Sequence, residues 1–384
     1  MMTTRPSLHL CIATGQNLAN LIPALQLNAS KVVILETPDM KASASNLKRV
    51  LESHGIQVQR TPFDDSSPDS VTASAATVST EFGEGAVIFN ATGGHKLMTL
   101  AMAKEMGEIA DDLHLLYAET RHQRLDWLKP VPAIDPMTDV LKVDDFLLVQ
   151  GYARVRSADR DGYWQVDANA RGALTRRLGD ESDKLAKFFG ELNRLAQQAM
   201  PDKERGRPFR PSQSLMFTPG GRNADILTQA QQLNLLHWDA DTEIVFASED
   251  SAAYFGGGWL EEFVWLKLRG LKPFDSAVNL VVKPIGSEVE NELDAVLAHH
   301  NRLLVVECKT LRFGRDPAKD ADYIYKLAQL SKQIGGSMAS SLLLSARSVD
   351  PLIADRAKQY GVSILAAADV KAFVSHIRSW MSAA

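Results

Sequence analysis

Short apolar segments alternate with helical patterns through the first third of the chain. The candidate strands are Leu8–Ala13, Lys31–Glu36, a short strand from Val58, Ala86–Asn90 and Leu113–Ala118. Candidate helices follow the first, second and fourth strands and end near Leu27, His54 and Met106. Alternating strands and helices form βαβ units, so this part is predicted to be an α/β domain with a mainly parallel sheet. Ligands of such sheets bind at the carboxyl ends of the strands, where the loops cluster.

The length of the chain predicts more than one domain, since 384 residues exceed the usual size of a single one. The strand–helix rhythm is lost between about 151 and 255, where Asp180–Met200 is predicted to form a long amphipathic helix. The rhythm returns after Gly256-Gly257-Gly258 with a helix from Trp259. We therefore divide the chain into an α/β domain at 1–150, a small mixed module at 151–255 and a second α/β domain at 256–384. A winged helix is one interpretation of the middle module.

The overall charge gives no sign of a nucleic-acid-binding surface. The net charge is −5 and the pI about 6.0, so such a role would depend on a local patch or on a metal. Cys11 and Cys308 lie in apolar segments of different predicted domains, so a disulfide is not expected. No signal-peptide h-region follows the N-terminus, and no apolar run approaches the roughly 20 residues of a membrane span. These features favour a cytoplasmic protein without membrane contact.

A polar loop with two glycines follows the strand at Ala86–Asn90. It reads Asn90-Ala91-Thr92-Gly93-Gly94-His95-Lys96-Leu97-Met98 and begins a helix. Glycines let the backbone approach a ligand closely, and the N-terminus of a helix favours phosphate. The loop matches neither the Walker A pattern nor G-x-G-x-x-G, which disfavours ATP hydrolysis and NAD binding. The loop Thr14-Gly15-Gln16-Asn17 lies beside it if the first and fourth strands are neighbours.

Two carboxylates and a lysine are grouped on two predicted strands of the last third. The apolar run Leu303–Val306 leads into Glu307-Cys308-Lys309, and Asp294 lies on the preceding strand. Side chains alternate along a strand, so Glu307 and Lys309 point to one face and Cys308 into the fold. Asp294, Glu307 and the backbone carbonyl of Cys308 offer the oxygen ligands that Mg²⁺ and Mn²⁺ prefer. Such a metal activates water beside a phosphodiester, and Lys309 would orient that water or stabilise the charge of the transition state.

Other polar residues extend this predicted site. Glu261, on the helix from Trp259, is a candidate outer acid. The sequence leaves open whether Glu292 or Asp294 is the main metal ligand, with Asp294 preferred. On the next predicted helix, Tyr325, Gln329 and Lys332 fall near one face. Gln329 and Lys332 are candidates for contact with the scissile strand.

The segment from about Gly256 to the C-terminus resembles the PD-(D/E)XK nuclease superfamily. The order helix, strand, strand with Asp294, strand with Glu307-x-Lys309 and helix is the core order of that superfamily. No proline precedes Asp294, which departs from the motif. The resemblance implies a restriction-endonuclease-like fold and a metal-dependent endonuclease. The catalytic residues that it implies are Glu261, Asp294, Glu307 and Lys309.

The first 150 residues resemble the CARF domain, the Rossmann-like sensor of cyclic oligoadenylates in type III CRISPR defence. The resemblance covers about residues 6–150 and rests on two loops, Ala13-Thr14-Gly15-Gln16 and Asn90-x-Thr92-Gly93-Gly94-x-Lys96-x-Met98. In that family two CARF domains pair and bind one cyclic tetra- or hexa-adenylate across the two-fold axis. The ligand-binding residues implied here are Thr14, Gly15, Gln16, Asn17, Thr37, Asn90, Thr92, Gly93, Gly94, His95, Lys96 and Met98.

The order of CARF domain, middle module and PD-(D/E)XK domain is similar to that of CRISPR ancillary nucleases activated by cyclic tetra-adenylate. This resemblance implies a homodimer that uses Mn²⁺ or Mg²⁺. It also implies a substrate of single-stranded RNA, single-stranded DNA or, in some members, duplex DNA. Two other classes stay open, namely a non-catalytic nucleotide-responsive regulator that binds nucleic acid and a constitutive DNA-repair nuclease.

Basic and aromatic residues near the middle of the chain allow two interpretations. The basic loop Lys203–Arg210 would guide nucleic acid or, as is usual for a charge run, form a solvated surface. Aromatic side chains stack on bases in some proteins but more often pack in cores and interfaces. We interpret these aromatic residues as packing: Trp238, Tyr254, Phe255 and Trp259.

Overall fold

A computed structural model describes residues 7–202, 204–310 and 317–383 of the chain. The strands of the first part are β1 (Leu8–Ile12), β2 (Lys31–Glu36), β3 (Gln57–Pro62), β4 (Ala86–Asn90), β5 (Asp112–Glu119), β6 (Arg124–Lys129) and β7 (Ala133–Pro136). The helices between them are α1 (Leu18–Gln26), α2 (Lys41–Ser53), α3 (Pro68–Phe82) and α4 (Lys96–Ile109). The strands form one sheet in the order β3-β2-β1-β4-β5-β6-β7. Helix α5 (Val143–Val149) and strand β8 (Tyr152–Arg156) follow.

Strands β1 to β5 are parallel, and β1 lies between β2 and β4. The prediction of an α/β domain with a mainly parallel sheet is therefore confirmed, and its first and fourth strands are neighbours. The antiparallel strands β6 and β7 and the helix α3 were not predicted. In β6 the buried Leu125 and Trp127 alternate with polar residues, as in a strand with one solvated face. Helix α3 is rich in Ser and Thr, which are weak helix formers, so its pattern in the sequence is faint.

The middle of the chain combines helices with a small antiparallel sheet. The helices are α6 (Gly162–Ala170), α7 (Gly172–Asp180), α8 (Ser182–Ala199), α9 (Arg222–Gln232) and α10 (Glu249–Ala253). The strands are β9 (Ser212–Ser214), β10 (Leu236–Trp238) and β11 (Glu243–Phe246), with β11 in the centre. The aromatic residues interpreted as packing are all buried: Trp238, Tyr254, Phe255 and Trp259. The winged-helix interpretation stays a prediction, and Lys203 of the basic loop lies outside the described residues.

The last part of the chain forms a mixed sheet with the order β16-β15-β14-β13-β12-β8. Its strands after β8 are β12 (Asp275–Pro284), β13 (Asn291–His299), β14 (Arg302–Lys309), β15 (Ala339–Ser345) and β16 (Val362–Ala366). Its helices are α11 (Trp259–Leu271), α12 (Pro317–Gly335), α13 (Pro351–Gln359) and α14 (Phe373–Ser382). Strand β8 lies in the segment assigned to the middle module, yet it pairs antiparallel with β12. The division at 151 and 256 stays a prediction. Strand β8 belongs to the middle segment by its place in the sequence and to the C-terminal sheet by its pairing.

The C-terminal sheet is buried between two layers that join it to the rest of the chain. In β14, Leu304, Val306 and Cys308 pack in the cluster that contains α8 and α11. Leu303 and Val305 pack in the other cluster, which contains α5, α12 and the helix α2 of the first domain. The alternation predicted for β14 is therefore present, and the N-terminal domain shares a core with the sheet that carries Glu307 and Lys309.

Two expectations about the whole chain can be compared with the structure. Within the described ranges, no helix has both the length and the apolar character needed to cross a bilayer. Cys11 and Cys308 are both free and buried, as expected for cysteines that do not form a disulfide.

Candidate functional site

Strand β14 ends with side chains that alternate between the core and a polar cluster. Cys308 is buried, whereas Glu307 and Lys309 are half-buried, with 2.5 Å between the Lys309 Nζ and the Glu307 Oε1. Burial lowers the pKa of Lys309, but the charges of Glu307 and Asp294 outweigh it and hold that pKa above its ordinary value. Lys309 is therefore a permanently charged donor beside a carboxylate.

Asp294 on β13 lies in a buried environment with negative neighbours. Its Oδ2 accepts the backbone N–H of Cys308 at 2.6 Å, which fixes the carboxylate against β14. Burial raises the pKa of Asp294 well above its usual range, and the charges of Glu307 and Glu261 raise it further. Like charges at short range oppose ionisation of one another, so these acids form an electrostatically strained cluster.

Glu261 lies in the first turn of α11 and completes this cluster. Burial raises the pKa of Glu261 to about 7, and the charge of Glu292 adds to this rise. A hydrogen bond with Asn279 and the charge of Lys309 act in the opposite direction. The residues predicted as catalytic, Glu261, Asp294, Glu307 and Lys309, are thus brought together in one place.

A network of asparagines holds the two predicted N-terminal loops together. The Asn90 Nδ2 donates to the Asn20 Oδ1 at 3.2 Å, and the Asn20 Nδ2 donates to the carbonyl of Ile12 at 2.8 Å. The Asn17 Oδ1 accepts the N–H of Thr14 at 3.0 Å and the Asn20 Nδ2 at 3.0 Å. Asn17 and Asn90 are buried and hydrogen-bonded inside the protein, so they position the loops.

The glycines and the threonine of the second loop pack it tightly against its neighbours. A Cβ atom at Gly93 would collide with the carbonyl oxygen of Ile12. Gly94 has a left-handed backbone, with φ of 81°, and a Cβ there would lie 2.8 Å from the Ile12 side chain. The Thr92 Oγ1 accepts the N–H of Ala118 at 2.7 Å. Both glycines are required for this close approach of two loops.

The other residues implied as ligand-binding differ widely in exposure. The exposed ones are Gly15, Gln16, His95 and Lys96. Thr37 is buried behind the loops, and Met98 is buried in the core of the first domain. Their assignment to ligand binding stays a prediction for each of them.

A cavity of about 170 Å³ lies between the two loops and is bounded on one side by the C-terminal half. Its lining includes Thr14, Gln16, Asn20, Thr92, Gly93, Ser337 and Met338. The Gln16 Oε1 accepts the backbone N–H of Ser337 at 3.2 Å. Ser337 lies in the turn between α12 and β15, so the N-terminal pocket contacts the turn that leads into the sheet carrying the carboxylates.

Residues 248–384 match the family model described as Card1-like, endonuclease domain. Because of this match, we refer to residues 248–384 as the endonuclease domain. The match begins eight residues before the boundary predicted at 256 and includes all four predicted catalytic residues. No curated protein sequence matches the chain at a significant level.

The whole chain is similar in fold to solved structures of low sequence identity. One is Can2 from Sulfobacillus thermosulfidooxidans in complex with cyclic tetra-adenylate, at 21% identity and a TM-score of 0.79, covering 98% of each chain. Another is protein VC1899 from Vibrio cholerae, at 19% identity and a TM-score of 0.82, covering 97% of each chain. A third is a type III CRISPR defence DNA nuclease activated by cyclic oligoadenylate, at 17% identity and a TM-score of 0.53. That match covers 90% of this chain and 46% of the other. These matches confirm the predicted α/β fold over the length of the chain.

The donor set of the endonuclease domain fits a hard divalent cation. Asp294 and Glu307 supply carboxylate oxygens. Burial and the negative charges of Glu307 and Glu261 raise the pKa of Asp294, and a bound cation would favour its ionised form. Glu292 is exposed, whereas Asp294 is held against Cys308, which favours Asp294 as the ligand. The involvement of the Cys308 carbonyl stays a prediction.

Helix α12 of the endonuclease domain contributes partly different residues from those predicted. A cavity of about 410 Å³ beside the carboxylates is lined on the helix side by Tyr323, Lys326, Gln329 and Gln333, among others. Tyr325 instead packs against Tyr360, with 4.7 Å between ring centroids, and Lys332 does not line the cavity. Two residues along a helix turn by about 200°, so Tyr323 and Tyr325 face opposite sides. Tyr323, rather than Tyr325, therefore lies beside the site, and its ring centroid is 5.1 Å from the Lys309 Nζ.

Two functional positions were missed by the sequence analysis, Asn20 and Asn279. Asn20 lies three residues after Asn17 on the same face of α1, a spacing that the sequence does display. Asn279 has a left-handed backbone, with φ of 48°, in the middle of β12. Its neighbours pair with residues on either side of Asp294, as Val278 with Ala295 and Leu280 with Leu293. Asn279 therefore lies across from Asp294, and among the described residues its buried Oδ1 has no hydrogen-bond partner.

Proposed function

We propose that the protein is a metal-dependent endonuclease that is switched on when cyclic tetra-adenylate binds the N-terminal pocket. The observation that carries the proposal is the joint placement of Glu261, Asp294, Glu307 and Lys309 in a domain that matches the Card1-like endonuclease family. The similarity in fold to Can2, whose structure contains cyclic tetra-adenylate, supports the choice of ligand. The proposed setting is type III CRISPR defence, and the proposed substrates are single-stranded RNA and DNA.

The chain's own residues have separate roles in this proposal. Asp294 and Glu307 would hold Mn²⁺ or Mg²⁺, which when bound stabilises negative charge and lowers the pKa of a bound water. Lys309, kept protonated by Glu307 and Asp294, donates to the charged phosphoryl oxygen or orients the attacking water. Glu261, with its pKa of about 7, is suited to exchanging a proton near neutral pH.

The size of the N-terminal cavity supports a dimer. A space of about 170 Å³ holds a phosphate or part of a nucleotide, but not a ring of four nucleotides. Two copies of the pocket that face each other across a two-fold axis would enclose a symmetric ring. A homodimer is therefore part of the proposal.

The contact between Gln16 and Ser337 offers a direct path from ligand to nuclease site. Gln16 lines the pocket, and Ser337 follows helix α12, which places Tyr323 beside Lys309. A ligand that contacts Gln16 would compete with its hydrogen bond to Ser337. Allosteric control needs two sites and an element that both of them bias, and α12 with its following turn fits that description.

The central test measures cleavage with and without the activator. Purified protein and Mn²⁺ are incubated with end-labelled single-stranded RNA or DNA, in the presence or absence of cyclic tetra-adenylate. We expect a low basal rate of cutting with metal alone, strong stimulation when the activator is also present, and loss of cutting on chelation. Equal cutting without any nucleotide would identify a constitutive nuclease, and binding without cutting in every condition would identify a regulator.

The Gln16→Ala variant is expected to cut nucleic acid without the activator. Loss of one hydrogen bond is worth about 0.5–1.5 kcal/mol, which corresponds to a roughly 2- to 10-fold increase in basal rate. The stimulation by cyclic tetra-adenylate should decrease by a similar factor, and both rates are read from the same cleavage assay. Gln57→Ala is the matched control, because Gln57 is exposed on the far edge strand β3. The proposed path would be contradicted if Gln16→Ala had the same basal and stimulated cleavage rates as the wild type.

A further inference from the structure

A groove of about 1000 Å³ opens beside the carboxylate cluster of the endonuclease domain. Its lining includes Asn279 and Glu292, and one wall is formed by β8, the turn that follows it and the start of α6. We propose that this groove holds a single strand of the nucleic-acid substrate, with one unpaired base stacked on Tyr163. The inference rests on the proposed nuclease function and assigns the residues that bind its substrate.

The wall formed by α6 is fixed relative to the carboxylates. Trp164 packs edge-on against Trp265, at 5.1 Å between ring centroids, and Trp265 lies on α11, the helix that carries Glu261. The Asp159 Oδ1 accepts the N–H of Val278, the residue before Asn279, at 2.9 Å. A strand bound along this wall would therefore lie at a constant position relative to the reacting phosphate.

Tyr163 is placed on this wall in a way that packing does not explain. Its neighbour Trp164 makes the contact with α11, whereas the Tyr163 side chain is 89% exposed and lines the groove. An exposed aromatic ring beside a phosphodiester-cleaving centre is the usual platform for stacking of an unpaired base. In a duplex the faces of the bases are covered by their neighbours, so such a platform favours single strands.

Arginines on the same wall supply the contacts for phosphate. Arg156 and Arg160 have side chains that are 66% and 60% exposed. Each makes one ion pair, with 3.3 Å to Glu290 and 2.9 Å to Asp144. Exposed pairs of this kind contribute little to stability, so a phosphate group can replace the carboxylate at low cost.

Of the acids that line the groove, Asp144 and Asp161 accept hydrogen bonds from the protein, whereas Glu292 is exposed. Asp144 accepts from Arg154 at 2.7 Å as well as from Arg160, and Arg154 is almost completely buried. Asp161 accepts the backbone N–H of Tyr163 at 2.9 Å at the N-terminus of α6. The groove therefore presents an aromatic platform and two exposed arginines next to the nuclease carboxylates.

The test measures binding in a variant that cannot cut. All proteins carry Glu307→Gln, and cyclic tetra-adenylate and Mn²⁺ are present. Fluorescence anisotropy measures the affinity of the proteins with Tyr163 and with Tyr163→Ala for a labelled single-stranded 12-mer and for the duplex of the same sequence. Loss of one base stack is expected to weaken single-strand binding by about 5- to 100-fold, with Tyr163→Trp restoring it. Duplex binding should not change, and Arg156→Ala should reduce the dependence of single-strand affinity on salt. Tyr117→Ala is the control, because Tyr117 is also exposed but lies outside the groove.

Three results would overturn the inference. Unchanged single-strand affinity in Tyr163→Ala, or an equal loss for duplex, would show that Tyr163 is not a base platform. A change from dimer to monomer in sedimentation would instead make this face a contact between copies. Failure of the nuclease proposal is distinguished by the unmutated protein, which would then cut nucleic acid in no condition, whether or not it binds it.

Discussion

Glu307→Gln is expected to abolish activator-dependent cleavage while the N-terminal pocket keeps its affinity for cyclic tetra-adenylate. The substitution preserves the size of the side chain and an oxygen that can still accept from Lys309, 2.5 Å away in the unmutated protein. It removes one carboxylate of the proposed metal site and the largest of the charges that support the protonated state of Lys309. Loss of a transition-state contact of this kind commonly lowers the rate by about 100- to 1000-fold, and two functions are lost here at once.

Single-turnover cleavage with saturating activator measures this effect, and titration calorimetry with cyclic tetra-adenylate measures binding. Glu288→Gln serves as the control, because the Glu288 side chain is 94% exposed and forms an ion pair of 3.1 Å with Lys283. Cutting at the wild-type rate by Glu307→Gln would show that the carboxylate cluster is not the reaction centre. Loss of ligand binding in the same variant would show that the two sites are wrongly assigned.

The predicted positions of Asp294, Glu307 and Lys309 on neighbouring strands depend on strand alternation. An apolar run that ends in Glu307-x-Lys309 allows only one arrangement of these side chains, and Cys308 is buried between them as expected. The acid on the next strand then follows from antiparallel pairing, in which Ala295 pairs with Val306. Local periodicity is sufficient for predictions of this type, because each depends on neighbours in the chain.

Asn279 and Tyr163 show where such prediction ends. Asn tolerates a left-handed backbone, and Asn279 interrupts the apolar residues of β12, so the sequence carries a faint signal there. Nothing local distinguishes Tyr163 from Trp164, because only the position of α11 decides which ring is buried and which faces the groove. Tertiary packing also decides the exposure of Trp238 and Phe255, and both are buried in the core.

The second large effect is expected for stability: Glu261→Gln should make the metal-free protein more stable at pH 8. The folded state raises the pKa of Glu261 from an ordinary 4.5 to about 7, mainly by burial. Above pH 7 the unmutated side chain is ionised at a cost of about 3 kcal/mol relative to the unfolded chain, since each pKa unit corresponds to 1.36 kcal/mol. A neutral glutamine avoids this cost and can still make a hydrogen bond with Asn279.

The pH dependence of this gain follows from the direction of the shift. An acid with a raised pKa in the folded state destabilises the protein above that pKa, and the penalty fades as pH falls from 7 through 4.5, where both states bind the proton. Thermal unfolding should therefore give a midpoint several degrees higher for Glu261→Gln than for the wild type at pH 8, and equal midpoints at pH 4. Mn²⁺ should raise the wild-type midpoint more than that of the variant, because the cation relieves the same repulsion that the substitution removes. The proposal would be wrong if Glu261→Gln were less stable than the wild type at pH 8 while Glu288→Gln was unchanged. That result would mean that a favourable charge interaction stabilises ionised Glu261 in the folded state.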